Sequence, residues 1–126
     1  MGDVNCCFFD SYALVEIFKG SKNYEKYKNY KIITSYLHVY ELYYSLSREH
    51  NEEEFIDFFR FIQRFCINLK FSWIPKASEF KKISSKKNLS YADCIGYIIA
   101  KDLGIKFLTG DKEFENLPNV EFVKKS

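Results

Sequence analysis

The chain has no long hydrophobic run. Among its 126 residues, no apolar stretch approaches the roughly 20 that a membrane-spanning helix needs. The first apolar stretch ends at Asp10 and no basic segment precedes it, so we do not expect a cleaved signal peptide either. These absences favour a cytoplasmic protein with no membrane association.

The sequence also lacks a zinc-binding pattern and a strong charge of either sign. The four cysteines include no C-x-x-C pair, and His38 and His50 stand apart from them. We therefore expect free thiols that behave as small hydrophobic residues, and we assign the histidines no chemistry. A formal net charge of +2 is too balanced to indicate nucleic-acid binding by itself.

What the chain does contain is enough apolar material for one domain spanning residues 1–126, with 47% hydrophobic residues. Its apolar periodicity predicts strands at 4–9, 31–34, 71–74, 105–108 and 120–123. It predicts helices at 12–18, 21–30, 36–48, 52–66, 77–87 and 91–103. This alternation predicts the α/β class, with a short, mostly parallel sheet of four to five strands between two helical layers.

Acidic residues occupy positions that such a fold brings together. Asp10 and Asp111 each follow a predicted strand, and Asp93 lies in the first turn of a helix that Ser90 caps. Strand ends and helix starts share one edge of a parallel sheet, so these carboxylates can converge. Ser11 is the expected cap of the first helix. Glu41 falls at the margin of an apolar helical face, and this position taken alone favours a solvated surface acid.

A cluster of carboxylates predicts a bound cation. Acids that share a buried rim repel one another and lose hydration, and an ion relieves both penalties. Oxygen ligands without cysteine or histidine favour Mg²⁺ or Mn²⁺, as one ion or two. Such ions activate water and neutralise phosphoryl charge, so phosphodiester hydrolysis is the matching reaction.

Three segments carry a family resemblance: FFDSYAL, VYELYYSL and LSYADCIGYIIAKDLGIKFLTGDKEF. In this order they resemble PIN-domain nucleases, most closely the small VapC-type toxins. The resemblance implies a PIN-like three-layer fold and a metal-dependent endoribonuclease that acts on structured RNA. It also implies a homodimer that a small antitoxin protein inhibits.

The resemblance also implies which residues act. Asp10, Glu41, Asp93 and Asp111 match the acidic positions of the family, as catalytic residues and metal ligands. Thr109 matches a hydroxyl residue two positions before the last acid, and Glu113 stands where members often have aspartate, so both are possible auxiliary residues.

Two alternatives remain within this interpretation. One is a PIN nuclease that processes ribosomal RNA, and the other is a non-catalytic PIN-like module that binds RNA or protein. A receiver domain or a dehalogenase-like phosphatase is disfavoured, because Asp10 has no second acid beside it.

The sequence also predicts binding surfaces outside the acids. Lys86 and Lys112 are possible RNA contacts, because their sequence neighbours are expected to border the acids. The helix at 52–66 carries an apolar arc of roughly 220°, about twice what one core needs. Together with the tyrosines of the preceding helix, it predicts a dimer face, a groove for a partner helix or a thick aromatic core.

Overall fold

The computed structural model describes residues 5–126 and shows strands alternating with helices. The strands are β1 (Cys6–Phe9), β2 (Lys31–Ile33), β3 (Lys106–Thr109) and β4 (Val120–Phe122). The α-helices are α1 (Ser11–Lys19), α2 (Tyr36–Ser47), α3 (Glu52–Gln63), α4 (Trp73–Ile83) and α5 (Tyr91–Leu103). Two 3₁₀ helices lie at Lys22–Asn29 and Lys112–Phe114.

The four strands form one parallel sheet in the order β2, β1, β3, β4. Side chains of β1 alternate between its two faces, as the pleat of a strand requires. Cys7 and Phe9 pack with α1, α2 and α3, whereas Phe8 packs with α4 and α5. The three-layer α/β/α architecture predicted from the sequence is therefore confirmed.

The predicted strand at 71–74 is wrong, because these residues lead into α4 and form its start. Pro75 is the third residue of that helix, in the first turn, where a missing backbone N–H costs no intrahelical bond. The proline therefore does not end a strand. Trp73 anchors the helix, since its ring is buried and its Nε1–H donates to Asp102 Oδ2 at 2.8 Å.

Other boundaries shift by a few residues. The predicted helix at 21–30 is a 3₁₀ helix, and α3 ends at Gln63 rather than at residue 66. Cys66 instead forms a parallel bridge with Thr34, whose backbone N–H bonds to Phe65 O at 3.1 Å. Val4, predicted to begin the first strand, lies outside the described residues.

The surplus apolar surface of α3 is largely covered by the protein itself. Phe55 and Ile62 are buried, and Phe58, Phe59 and Phe65 pack, half-buried, against the core that α1 and α2 share. A thick aromatic core thus accounts for most of the predicted surplus. No helix within residues 5–126 is long and apolar enough to span a bilayer, and all four cysteines are free thiols.

Candidate metal centre

Three of the four predicted acids meet at the carboxyl edge of the sheet. Asp10 follows β1, Glu41 lies in the second turn of α2, and Asp93 lies in the first turn of α5. One oxygen from each carboxylate lies within 4.8 Å of the other two. Asp10 and Asp93 are buried, whereas Glu41 is half-buried.

Asp10 is fixed by donors from two elements. Its Oδ1 accepts the Ser11 N–H at 2.9 Å, and its Oδ2 accepts the Thr109 hydroxyl at 2.7 Å. Asp10 is therefore the N-cap of α1, and Ser11, which the sequence suggested for that role, is the first helical residue. Because β1 and β3 are adjacent, Thr109 at the end of β3 reaches Asp10 directly.

Serine hydroxyls orient Glu41 from both sides. Ser11 Oγ donates to Glu41 Oε1 at 2.9 Å, and Ser90 Oγ donates to Oε2 at 3.3 Å. Ser11 belongs to α1 and Ser90 caps α5, so the two hydroxyls connect Glu41 to the helices that present Asp10 and Asp93.

Asp93 also belongs to a capping box. The Ser90 N–H donates to Asp93 Oδ2 at 2.8 Å, while the Asp93 N–H donates to Ser90 Oγ at 3.0 Å. Its other oxygen, Oδ1, accepts no hydrogen bond from residues 5–126 and remains available to a ligand. Asp93 therefore has a structural role in the helix start as well as a position in the cluster.

Asp111 borders the same cleft but lies outside the group of three. Its Oδ1 accepts the Glu113 N–H at 3.0 Å, and its own N–H donates to Thr109 Oγ1 at 3.1 Å. Glu113 Oε1 accepts the Asn88 N–H at 3.3 Å and so ties this turn to the start of α5. Thr109 and Glu113 therefore act geometrically as supports around the acids.

Crowding alters the acidity of the buried carboxyls. Burial raises the pKa of Asp10 well above its usual range, and the negative charge of Asp93 raises it further. The hydrogen bonds from Thr109 and Ser11 lower this pKa and so oppose the shift. Burial also raises the pKa of Asp93 to about 6, and the nearby Glu41 and Asp111 charges contribute. The cluster therefore carries unrelieved repulsion.

A cleft of about 580 Å³ opens over the cluster. Six acids line it: Asp10, Glu16, Glu41, Glu49, Asp93 and Asp111. Lys125 is the single basic side chain along its wall within the described part of the chain. We call this depression the acidic cleft.

The lysines chosen from the sequence lie elsewhere. Lys86 lines a neighbouring depression with Lys87 and Lys101, and Lys112 is not part of the wall of the acidic cleft. Asn88, two residues after Lys86, does line the cleft. Contact of Lys86 and Lys112 with RNA stays a prediction.

Sequence reasoning missed His38, which is buried beneath the cluster. Its Nδ1 lies 2.6 Å from Ser35 Oγ, and its Nε2 lies 3.9 Å from Asp10 Oδ1 with no hydrogen-bond partner among residues 5–126. Burial lowers the pKa of His38 to about 3, and the Ala92 backbone raises it by a smaller amount. The imidazole is therefore neutral and does not compensate the charge of Asp10.

Gly96 on α5 makes room for this imidazole. A Cβ there would lie 2.6 Å from His38 Nε2 and 2.9 Å from Phe107 Cε1. Such distances are too short for carbon atoms, so only glycine fits. The one sequence signal for this pair is a histidine on the apolar face of α2, which does not indicate its neighbour.

The donor set fits a hard divalent cation. All ligand atoms in the cluster are carboxylate oxygens, which Mg²⁺ and Mn²⁺ prefer. The neutral His38 leaves the negative charge of the acids for such an ion to balance. Asp10, Glu41 and Asp93 would hold the ion, with Asp111 at its side.

Comparison with known proteins agrees with this geometry. The family model described as "PIN domain" matches residues 7–120. A solved chain from a toxin–antitoxin complex of Klebsiella pneumoniae superposes with a TM-score of 0.68 at 17% identity, covering 91% of this chain and 95% of that one. No curated protein sequence matches. Since the family model spans most of the sequence and the observed fold is consistent with it, the chain belongs to the PIN domain family.

Proposed function

We propose that this protein is a Mg²⁺- or Mn²⁺-dependent endoribonuclease of the VapC type, the toxin of a toxin–antitoxin pair. One observation supports this proposal most: Asp10, Glu41 and Asp93, from three separate elements, offer oxygens within 4.8 Å of one another. PIN domains are generally nucleases, and this chain has an acidic residue at each of the four positions that match the acids of the family, Asp10, Glu41, Asp93 and Asp111.

The residues of the cleft divide the work of hydrolysis. Asp10 and Asp93 would hold the ion, and Asp111 would contribute from the wall of the same cleft. A bound divalent ion lowers the pKa of water and neutralises charge on the phosphoryl group. Glu41 completes the ion's ligands or orients the attacking water, since the Ser11 and Ser90 hydroxyls fix its carboxylate. Thr109 holds Asp10 in place from β3.

The biological setting is part of the same proposal. The structural neighbour from Klebsiella pneumoniae is described as a toxin–antitoxin complex, and we infer that a small antitoxin binds this chain too. We also infer that residues 1–126 form one domain, that the protein acts in the cytoplasm, and that its substrate is structured RNA. Lys86 and Lys112 are proposed to contact that RNA outside the acidic cleft.

A homodimer is the proposed assembly. Tyr36 and Tyr40 on α2 are 58% and 74% exposed, an unusual amount for large aromatic side chains on neighbouring helical positions. Light scattering on the purified protein should therefore give twice the monomer mass. Changing Tyr36 and Tyr40 together to serine should shift the protein to the monomer, and a wild type that is monomeric at high concentration would contradict the dimer.

Cleavage of RNA tests the central activity. Purified protein should cut total cellular RNA with Mn²⁺ or Mg²⁺ and stop when a chelator is added, and sequencing of the new RNA ends should reveal the cleavage sites. Asp93→Asn should abolish this cleavage, because the variant removes one charge and one ligand from the cluster. Circular dichroism should show that the variant keeps its fold.

Glu49→Gln is the matched control. Glu49 lines the same cleft, but it lies outside the cluster and is exposed. Its neutralisation should leave cleavage close to wild type. Equal activity of Asp93→Asn and wild type, or cleavage that persists in chelator, would contradict the proposal.

A further inference from the structure

The acidic cleft poses an electrostatic problem for an anionic substrate. Six carboxylates line its wall against one lysine. RNA brings a negative charge with every phosphate, so a strand entering the cleft is repelled unless cations meet it. A metal ion at the three-carboxylate cluster would balance the negative charge of one phosphate only. The adjacent phosphates of the strand would still need a positively charged group of the protein.

Lys125 is placed to be that partner. Its side chain is exposed and borders the cleft. Within residues 5–126 its ammonium group forms no salt bridge. Six acids line the same cleft, but none of them forms a salt bridge with this ammonium group, so no acid within residues 5–126 neutralises its charge.

The segment that carries Lys125 is fastened to the body of the protein. The Val123 N–H donates to Thr109 O at 2.9 Å and continues the β3–β4 pairing beyond β4. The Tyr24 hydroxyl donates to Val123 O, and the Lys125 N–H donates to the Tyr12 hydroxyl at 3.2 Å. The backbone of Lys125 is therefore held beside the end of β3.

Two residues at the start of the first 3₁₀ helix complete this attachment. Asn23 Nδ2 donates to Lys124 O at 3.0 Å, and the Asn23 N–H donates to Ser126 Oγ at 2.9 Å. The Ser126 N–H donates to Ser21 Oγ at 3.1 Å. Hydrogen bonds thus fix the backbone on both sides of Lys125.

The attachment is coupled to the acidic cluster. Thr109 accepts the Val123 N–H with its carbonyl and donates its hydroxyl to Asp10. Gly110 lies next to it, where any Cβ would collide with the Tyr12 ring and the Val123 carbonyl. Thr109 therefore bonds both Asp10 and the segment that bears Lys125, and Gly110 allows this segment its close approach.

We propose that Lys125 binds an RNA phosphate adjacent to the bond that is cut, and so positions the substrate over the three-carboxylate cluster. This inference rests on the proposed nuclease function and assigns a substrate-binding role to one further residue. Its ammonium ion pairs with the phosphate, while the hydrogen bonds of residues 123–126 reduce the entropy that this contact costs.

Binding measured without cleavage tests the proposal. The protein carries Asp93→Asn, the probe is a fluorescently labelled RNA stem-loop of mixed sequence, and anisotropy gives Kd at several NaCl concentrations. Lys125→Ala should weaken binding several-fold and reduce the slope of log K against log salt by about 0.7 to 0.9, the value for one lost phosphate contact. Lys125→Arg should keep the slope, because it keeps the charge.

Lys124→Ala is the matched control. Lys124 is the preceding residue, is exposed and loses the same charge, but its side chain does not line the cleft. This variant should leave Kd and the salt slope close to those of the parent. In the otherwise wild-type protein, Lys125→Ala should raise KM more than it lowers kcat.

Specific outcomes would overturn the proposal. An unchanged slope in Lys125→Ala, or an equal decrease in Lys124→Ala, would reject a phosphate contact at Lys125. A lower melting temperature with an unchanged slope would assign Lys125 a structural role instead. Failure of the nuclease proposal is distinguishable, because the wild type would then not cut RNA, whatever effect Lys125→Ala has on the binding of the stem-loop.

Discussion

Two aspartate environments in this protein differ in how their charge is compensated. In the acidic cleft, burial and neighbouring carboxylates raise the pKa of Asp10 and Asp93. At the exposed corner between α4 and α5, the Trp73 indole N–H and the nearby Lys76 lower the pKa of Asp102. Neighbouring groups of the protein compensate the charge of Asp102, whereas the carboxylates of the cleft repel one another, and this contrast favours the cleft as the site of the proposed cation.

Among changes that leave every carboxylate in place, the largest expected effect comes from removing one hydrogen-bond donor to a cleft aspartate. Thr109→Val preserves the shape of the side chain but loses the hydroxyl that donates to Asp10 Oδ2. Groups that orient metal ligands typically contribute about 10- to 100-fold in affinity or activity. We expect a loss of that size in RNA cleavage rate, measured at saturating Mn²⁺. A variant with wild-type cleavage would show that Thr109 does not support the site.

The floor of the cleft offers a test of packing. Gly96→Ala would place a methyl group against His38 and Phe107, so we expect the free energy of unfolding to fall by about 1 to 3 kcal/mol, the usual effect of overpacking. Urea denaturation measures this change. The exposed Lys101→Ala on the same helix is the control and should change stability little. A Gly96→Ala protein as stable as wild type would contradict the close contact.

Stability as a function of pH should separate the two environments by sign. The native pKa of Asp93, about 6, exceeds the value near 4 expected in the unfolded chain. The metal-free native state therefore holds this proton more tightly, and its stabilisation is lost as pH rises from about 4 to about 6. Relative to Asp93→Asn, the metal-free wild type should lose on the order of 2 kcal/mol across this window.

Asp102 should show the opposite sign. The pKa of Asp102 is lower in the native state than in the unfolded chain. The carboxylate therefore stabilises the native protein at pH values above its unfolded-state pKa, and this stabilisation is lost as the pH falls. The wild type should therefore gain stability relative to Asp102→Asn as the pH rises. Buried His38 destabilises the protein below its ordinary pKa of 6.5, but this effect cancels in each comparison. Differences of the same sign for both aspartates would contradict the contrast.

The smallest effect on RNA cleavage is expected at the corner itself. Trp73→Phe loses the donor to Asp102, which usually contributes about 1 kcal/mol, and also replaces a buried indole with a smaller ring, so unfolding should become easier by more than the hydrogen bond alone. RNA cleavage should not change. A large loss of cleavage in this variant would show that the two regions are coupled.

The sequence predicted what periodicity and topology determine. Alternating strands and helices imply a parallel sheet, and such a sheet brings Asp10 and Asp93 to one edge. In the structure one carboxylate oxygen from each of Asp10, Glu41 and Asp93 lies within 4.8 Å of the other two. Asp111 was expected in the same group, but the turn that it caps holds its carboxylate at the side of the cleft.

Other features depend on contacts that no local pattern encodes. The residues at 71–74 resemble a strand before a proline, but burial of Trp73 and the tolerance of proline in a first helical turn favour α4. His38 meets Gly96 across two helices, far apart in sequence. Lys125 reaches the cleft only because residues after β4 return to the first 3₁₀ helix.

The most direct measurement of the central claim is calorimetric titration of the metal-free protein with Mn²⁺ near pH 6, repeated in two buffers of different ionisation enthalpy. Because Asp10 and Asp93 hold protons unusually tightly, metal binding should release protons, and the apparent heat should differ between the buffers. Asp10→Asn should lose this binding, whereas Asp102→Asn should keep it. Absence of saturable binding to the wild type, or equal binding to Asp10→Asn, would contradict a metal site formed by the three carboxylates.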